Sequence, residues 1–172
     1  MFRVEPHSRY TVTANEVPGL ESTDISARFK STNNVPIVAD RSMYFRYRTG
    51  DGGEIVDGHA SVGVKEPAKY WYAAEGLSSK DFDTWILVSN PNDKEVTANI
   101  DFMTEDGEVR SLTLTLPPMT RQTVNMKDAG LDDVQAGTFC ASDDGIIMER
   151  ATYFNYEGMR GDHESVGYPV QI

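Results

Sequence analysis

The sequence is poor in cysteine, histidine and tryptophan, and it has few basic residues for its acidic content. One cysteine among 172 residues excludes an internal disulfide. Sixteen basic against 27 acidic residues give a net charge of −11, so the basic surface that binds nucleic acid is not expected. No apolar run approaches the roughly 20 residues of a membrane helix, so we expect no membrane insertion. If the protein is exported, its signal lies outside these residues.

Three patterns that could carry chemistry have simpler interpretations. Cys140 lies in a short apolar strand and is predicted to be a buried thiol rather than a nucleophile. His59 and His163 each precede a serine by two residues, but no third group orients such a pair, so we expect them to cap turns. The Asp- and Gly-rich loop at residues 49–57 lacks the twelve-residue ligand pattern of a calcium loop. We therefore predict no enzyme activity, no metal site and no cofactor.

A segment of eleven residues occurs twice in the chain. Each copy has an acidic residue and an arginine three positions before a Tyr-Phe pair. Three further segments also recur in the same order. The pairs are 37–47 with 146–156, 58–63 with 162–167, 6–9 with 118–121, and 19–20 with 130–131. A period of roughly one hundred residues indicates tandem domains rather than a short solenoid repeat.

Short alternating runs separated by Gly, Pro, Asn and Asp predict antiparallel β-structure. The clearest runs, 95–102 and 109–116, flank an Asp-Gly step that favours a tight hairpin turn. Further predicted strands are 9–14, 25–30, 36–47, 54–64, 83–89 and 137–141, the last followed by a turn at 142–145. The fold class is therefore all-β, an antiparallel immunoglobulin-like β-sandwich with one complete repeat and a partial preceding repeat.

The repeat divides the chain into a partial unit, residues 1–66, and a complete unit, residues 67–172. The boundary falls near residues 65–69, a polar link with a proline. The partial unit lacks the strands that open the complete one, so its backbone edges are not all satisfied. Either it docks on the complete sandwich to enlarge the sheets, or another chain completes it by adding strands, and the unpaired edges could support self-association.

The repeated arginines share a strand face with apolar residues. An inward arginine needs a partner, because an unpaired buried charge costs several kcal/mol. For Arg150 the best candidate is Glu75, which lies among small residues, so a structural ion pair is predicted.

Aromatic residues suggest one candidate binding surface. Tyr70 and Tyr72 alternate with Trp71, which must point to the opposite face of the strand. We expect Trp71 and Trp85 in the core. Exposed members of the set Tyr70, Tyr72 and Tyr153 could stack on sugar rings as a glycan platform.

Four segments in one order, residues 35–45, 58–63, 71–76 and 82–91, resemble tandem β-sandwich repeats of large secreted or surface-attached bacterial proteins. The resemblance implies an extracellular, non-catalytic structural or adhesive module whose partners are neighbouring repeats of the same chain. It implies no functional residue. The alternative is a carbohydrate-binding module that uses exposed aromatics to bind glycans or cell-wall polymers.

Overall fold

The computed structural model describes residues 1–48 and 52–170, and these residues form an all-β fold. The strands are β1 (Asp40–Arg48), β2 (Glu54–Val62), β3 (Ala68–Ala73), β4 (Leu77–Ser78), β5 (Phe82–Ser89), β6 (Val96–Thr104), β7 (Val109–Leu116), β8 (Arg121–Asn125), β9 (Val134–Tyr156), β10 (Met159–Val166) and β11 (Tyr168–Val170). A single 3₁₀ turn spans Ala14–Glu16. Among the described residues, no helix is long and apolar enough to span a bilayer.

The long strand β9 joins two antiparallel layers. Its first half pairs with β3 and β6, which extend to β11 and β7 at the edges. Its second half pairs with β5 and β10, and β5 pairs in turn with β8. We refer to the first layer as the tyrosine sheet and to the second as the arginine sheet. The predicted all-β antiparallel fold is confirmed, in a sandwich-like arrangement.

The predicted turn at residues 142–145 is wrong, because β9 runs through it without a break. Ser142 still pairs with β6, and Ile147 already pairs with β5, so the strand changes sheets over these residues. Gly145 permits the change because a Cβ there would lie 3.0 Å from Pro67. Strand pairing before and after these residues therefore overrides the local turn preference of the Asp-Asp-Gly sequence.

The core lies between the two sheets. Trp71 is fully buried and its indole nitrogen donates to the carbonyl oxygens of Ala68 and Ile146, at 2.9 and 3.0 Å. Residues from both sheets complete the core: Ile86, Val88, Val96, Ile100, Phe102, Leu116, Met126 and Met148. The expected hairpin is also present, since β6 pairs with β7 around a turn where Gly107 has φ +86°. Inward Trp71 and this hairpin are thus confirmed.

The N-terminal region differs from its prediction. Among the described residues, 1–39 contain no strand, so the expected strands at 9–14 and 25–30 are wrong. The expected strands at 36–47 and 54–64 are confirmed in part, as β1 and β2. These two strands pair only with each other in the described chain and form a separate two-stranded sheet, the N-terminal hairpin. The expected enlargement of the main sheets is therefore wrong. Residues 49–51 of the loop considered for calcium lie outside the described residues.

The N-terminal hairpin and the hairpin formed by β9 and β10 share one register. Arg41 lies opposite Ser61, as Arg150 lies opposite Ser165. One backbone bond also recurs at the same place, from Gly63 N to Ala39 O at 3.0 Å and from Gly167 N to Met148 O at 2.9 Å. The second of these hairpins, residues 149–166, is called the C-terminal hairpin below.

Candidate interaction surfaces

The N-terminal hairpin lies face to face with the C-terminal hairpin. Its inward face is half-buried and carries an arginine, a histidine and three large apolar residues, while the alternate residues are exposed. We call this inward face, Arg41, Met43, Phe45, Tyr47 and His59, the arginine face. It covers Glu149, Tyr153, Asp162 and Glu164, which we call the acidic face. The N-terminal hairpin is thus docked on the C-terminal hairpin through side chains.

A charge cluster that is buried at His59, Asp162 and Glu164 and open to solvent at Arg41 lies at the centre of this contact. The His59 ring contacts Asp162 through Nδ1 and Glu164 through Nε2, and all three side chains are at least 92% buried. The contact between Nε2 and Glu164 does not have the geometry of a hydrogen bond. Arg41 contacts Glu164 and reaches Glu149 at 3.5 Å. Buried charges of this kind are stable only when each has a partner, so both hairpins are needed to satisfy the cluster.

The expectation that His59 and His163 cap turns is wrong. Both lie within strands, in β2 and β10. His59 is an interface residue, as described above. His163 is exposed, and its Nδ1 lies 3.2 Å from Nη2 of Arg150. Their equivalent positions in the two hairpins therefore have different surroundings.

Aromatic contacts extend the interface away from the charges. Tyr153 stacks on Tyr47 with ring centroids 4.5 Å apart, and Phe45 meets its edge at 5.2 Å. The Tyr47 hydroxyl donates to Asp83 at 2.9 Å. Burial, followed by this bond to a carboxylate, raises the pKa of Tyr47 to about 12. Trp85, expected in the core, is instead only half-buried in β5, with its indole beside Tyr47.

Glu149 is a carboxylate of this cluster whose charged form is disfavoured by burial. Burial raises its pKa above the ordinary value, and the nearby Glu164 carboxylate adds to the shift. Arg41 opposes both effects, but at 3.5 Å its contact with Glu149 is longer than its contact with Glu164. Relative to the same group in water, the charged form of Glu149 is therefore disfavoured in the folded protein.

Arg150 points into the sandwich, on the side of the sheet away from the acidic face. It is 6% exposed and donates through Nη1 to the backbone carbonyl of Glu75. The Glu75 carboxylate also lies 3.4 Å from Nη1, but this side chain is 82% exposed. The predicted pairing of Arg150 with Glu75 is therefore present, but solvent screens this charge pair and the carbonyl is the buried partner.

Replacing Arg150 with methionine is expected to cost about 2 kcal/mol of unfolding free energy, because it leaves a buried carbonyl without a donor. Urea denaturation of the whole chain measures the change. Glu75→Gln serves as the control, since it removes the exposed charge and leaves the carbonyl in place. We expect the double-mutant coupling to be near zero. A coupling above about 1 kcal/mol would show that the carboxylate is the partner that matters.

The three tyrosines proposed as a glycan platform are not on one surface. Tyr70 and Tyr72 lie on the outer face of the tyrosine sheet, on either side of Phe139. Tyr153 is covered by the N-terminal hairpin. The structure adds Tyr168, which lies directly opposite Tyr72 and is 73% exposed. Phe139 and Tyr168 were missed because only the strand register brings them beside Tyr72.

The aromatic rings of this outer face pack against one another. The centroids of Tyr72 and Phe139 are 4.7 Å apart, which is too close for two rings lying flat in one plane. The two rings therefore stand upright on the sheet, with their faces turned toward each other. Polar side chains continue the surface across the next two strands, with Ser111 donating to Asp101 at 2.6 Å and Thr113 donating to Asn99 at 2.8 Å.

Cys140 is fully buried, as predicted. Burial raises the pKa of its thiol to about 12, so the thiolate is scarce at neutral pH. Its position in β9, opposite Trp71 and Ile100 on the neighbouring strands, explains the burial. The residue fills core space rather than offering a nucleophile.

No protein-family model matches the chain, and no curated protein matches it. The chain is similar in fold to the crystal structure of Thermotoga maritima 1070, with 14% identity and a TM-score of 0.56, covering 60% of this chain and 96% of that one. A second similar structure, the Anabaena sensory rhodopsin transducer, has 19% identity and a TM-score of 0.45, covering 51% of this chain and 99% of that one. At these identities the first likeness concerns the fold alone, and the second is too weak to support an argument.

Proposed function

We propose that the chain is a non-catalytic structural and adhesive module of a bacterial cell-surface or secreted protein, built from immunoglobulin-like β-sandwich repeats. The observation that supports this most is the docked N-terminal hairpin. Its arginine face is matched to the acidic face of the following unit by charge and by aromatic packing. A contact of this kind fixes the angle between consecutive units, which suits a spacer that projects from a surface.

The position of the link supports the same role. Residues 63–67 connect β2 to β3, so the docked hairpin and the sandwich are held by both a short covalent link and a side-chain interface. A short link keeps the effective concentration of the hairpin near the acidic face high. The interface then stays closed even though a two-stranded sheet is only marginally stable by itself.

The surface assignment is tested by labelling cells of the source organism. Antibodies against residues 67–172 are expected to bind intact cells or to detect the protein in the medium. A cytoplasmic protein detected by the same antibodies serves as the permeability control. Detection only after permeabilisation would refute the proposal.

A carbohydrate-binding module is the second candidate, and the outer face of the tyrosine sheet favours it. This face combines exposed Tyr72 and Tyr168 with hydroxyl, amide and carboxylate groups that could bind sugar hydroxyls. The rings present edges and hydroxyls rather than a flat platform, so stacking on a sugar would involve the outermost rings of the row.

If glycans bind there, Tyr72→Ala is expected to weaken retention on insoluble polysaccharides by about tenfold, the size of one aromatic contact. Tyr44→Ala is the matched control, because Tyr44 is 88% exposed on the N-terminal hairpin. Pull-down with a panel of polysaccharides measures both variants. An equal loss in the two variants, or no retention of the native chain, would reject this candidate.

A further inference from the structure

The N-terminal region repeats the local geometry of the larger unit without its strands. Ser8 Oγ donates to Glu5 O at 2.7 Å, and Thr120 Oγ1 donates to Pro117 O at 2.8 Å. The residue before each of these hydroxyls has the same left-handed backbone, with φ +56° at His7 and at Met119. Non-glycine residues rarely adopt this conformation, so the agreement reflects one turn formed twice.

The agreement continues along the chain. Gly19 and Gly130 occupy equivalent positions and have φ +87° and +78°. The two hairpins that follow have the same register and the same closing backbone bond. Residues 6–62 therefore reproduce, in order, the turns and the hairpin of residues 118–166.

What differs is the presence of neighbouring strands. Residues 121–125 form β8 because β5 lies beside them, and Val124 is then 9% exposed. The equivalent residues 9–13 form no strand, and Val12 is 40% exposed. Other large apolar side chains of this region are also open to solvent: Phe2, Val4, Tyr10, Phe29, Val35, Ile37 and Val38. A sequence with strand-like alternation stays irregular here because no strand in the described part of the chain pairs with it.

We propose that residues 6–62 are an acceptor for a segment with the character of residues 67–117, which would complete a second sandwich. In the larger unit, that segment supplies β3 to β7, and these strands pair with β8, with both halves of β9 and with each other. The partner is therefore a β-forming segment with an inward tryptophan, a strand like β5 and a leucine-rich edge strand. This inference depends on the repeated geometry and not on the proposed surface role.

Completion has a consequence for the N-terminal hairpin. In the C-terminal hairpin, the face that carries Arg150 and Phe154 is directed to the sandwich side, as Arg150 reaches the Glu75 carbonyl. The equivalent arginine face of the N-terminal hairpin, with Arg41 and Phe45, is instead directed at Glu164 and Tyr153. The arginine face cannot pack against a completed sandwich and against the acidic face at the same time. Binding of the partner segment therefore releases the acidic face of the next unit.

The test is a chain in which residues 67–117 are duplicated directly before Pro6, in place of residues 1–5. This junction reproduces the native order, because Pro117 precedes Pro118 in the larger unit. We expect amide exchange at residues 9–13 and 25–30 to slow by at least about tenfold, as new strand bonds protect them. The Tyr153 ring should become accessible as the hairpin leaves it.

The control carries the same duplication with Trp71→Asp and Ile86→Asp in the added copy alone, so that its core face cannot be buried. This control should exchange at residues 9–13 as fast as the native chain. Unchanged exchange in the first variant would overturn the proposal, and so would slowed exchange in both variants. Protection with Tyr153 still covered would overturn the competition between the two packings. None of these results affects the cell-labelling test, so the two proposals fail separately.

Discussion

Residues 67–172 produced alone are expected to unfold cooperatively as a monomeric β-rich domain, whereas residues 1–66 alone should be unfolded or aggregate. Every member of the buried core cluster lies at residue 71 or beyond, so removing the first unit leaves this core complete. The first unit keeps two strands and no second sheet of its own among its described residues. A two-stranded sheet in water is marginally stable at best.

Circular dichroism with thermal unfolding measures both pieces, and sedimentation at several dilutions measures their association. When the two pieces are mixed, the NMR signals of Tyr153 should shift toward their positions in the whole chain, because the acidic face is available to bind the hairpin. A stable, cooperatively folded 1–66 would contradict the assignment of the unit boundary. Failure of 67–172 to fold would show that the hairpin belongs to the same cooperative unit.

The parts of the fold that could be predicted are those specified by local pattern. The alternation in β6 and β7, with Asp-Gly between them, predicts the hairpin because period-two sequences expose one face and bury the other. The alternation around Trp71 predicts its inward direction for the same reason. The repeated segment predicts two similar hairpins, and their registers agree.

The features that were missed depend on which strands are present and adjacent. Residues 9–14 have a strand pattern but no partner strand among the described residues, whereas residues 142–145 have a turn pattern but lie between two paired stretches of β9. The acidic face was missed because Glu149, Asp162 and Glu164 come together only through the register of β9 and β10. Their partner Arg41 is 108 residues from Glu149 in the sequence, and no local pattern specifies such a pairing.

Replacing Glu164 with glutamine is expected to weaken docking of the N-terminal hairpin by about 3 kcal/mol, because it removes the charge of a buried, hydrogen-bonded carboxylate and keeps the shape of the side chain. Glu164 is 2% exposed and contacts Arg41, His59 and Ser61. Its loss leaves the Arg41 guanidinium with less negative charge to balance it. Amide exchange of the bonds between β1 and β2 should then accelerate by about a hundredfold.

The matched control is Glu149→Gln, which changes the same functional group one strand away. We expect it to leave docking unchanged or slightly stronger at neutral pH. Because burial raises the pKa of Glu149, its contribution to stability is fully present at acid pH and is lost as the pH rises through the raised pKa. Glutamine does not ionise and so avoids that loss. The stability of this variant relative to the native chain should therefore increase as the pH rises.

Comparing the two variants separates specific pairing from general charge balance, since each removes one negative charge from the same cluster. If net charge alone governed docking, both would change amide exchange equally and in one direction. The geometry predicts unequal responses, because Glu164 has three close partners, whereas Glu149 lies 3.5 Å from Arg41 and its charged form is disfavoured by burial. Equal effects in the two variants would therefore reject the charge cluster as the determinant of how the N-terminal hairpin is placed.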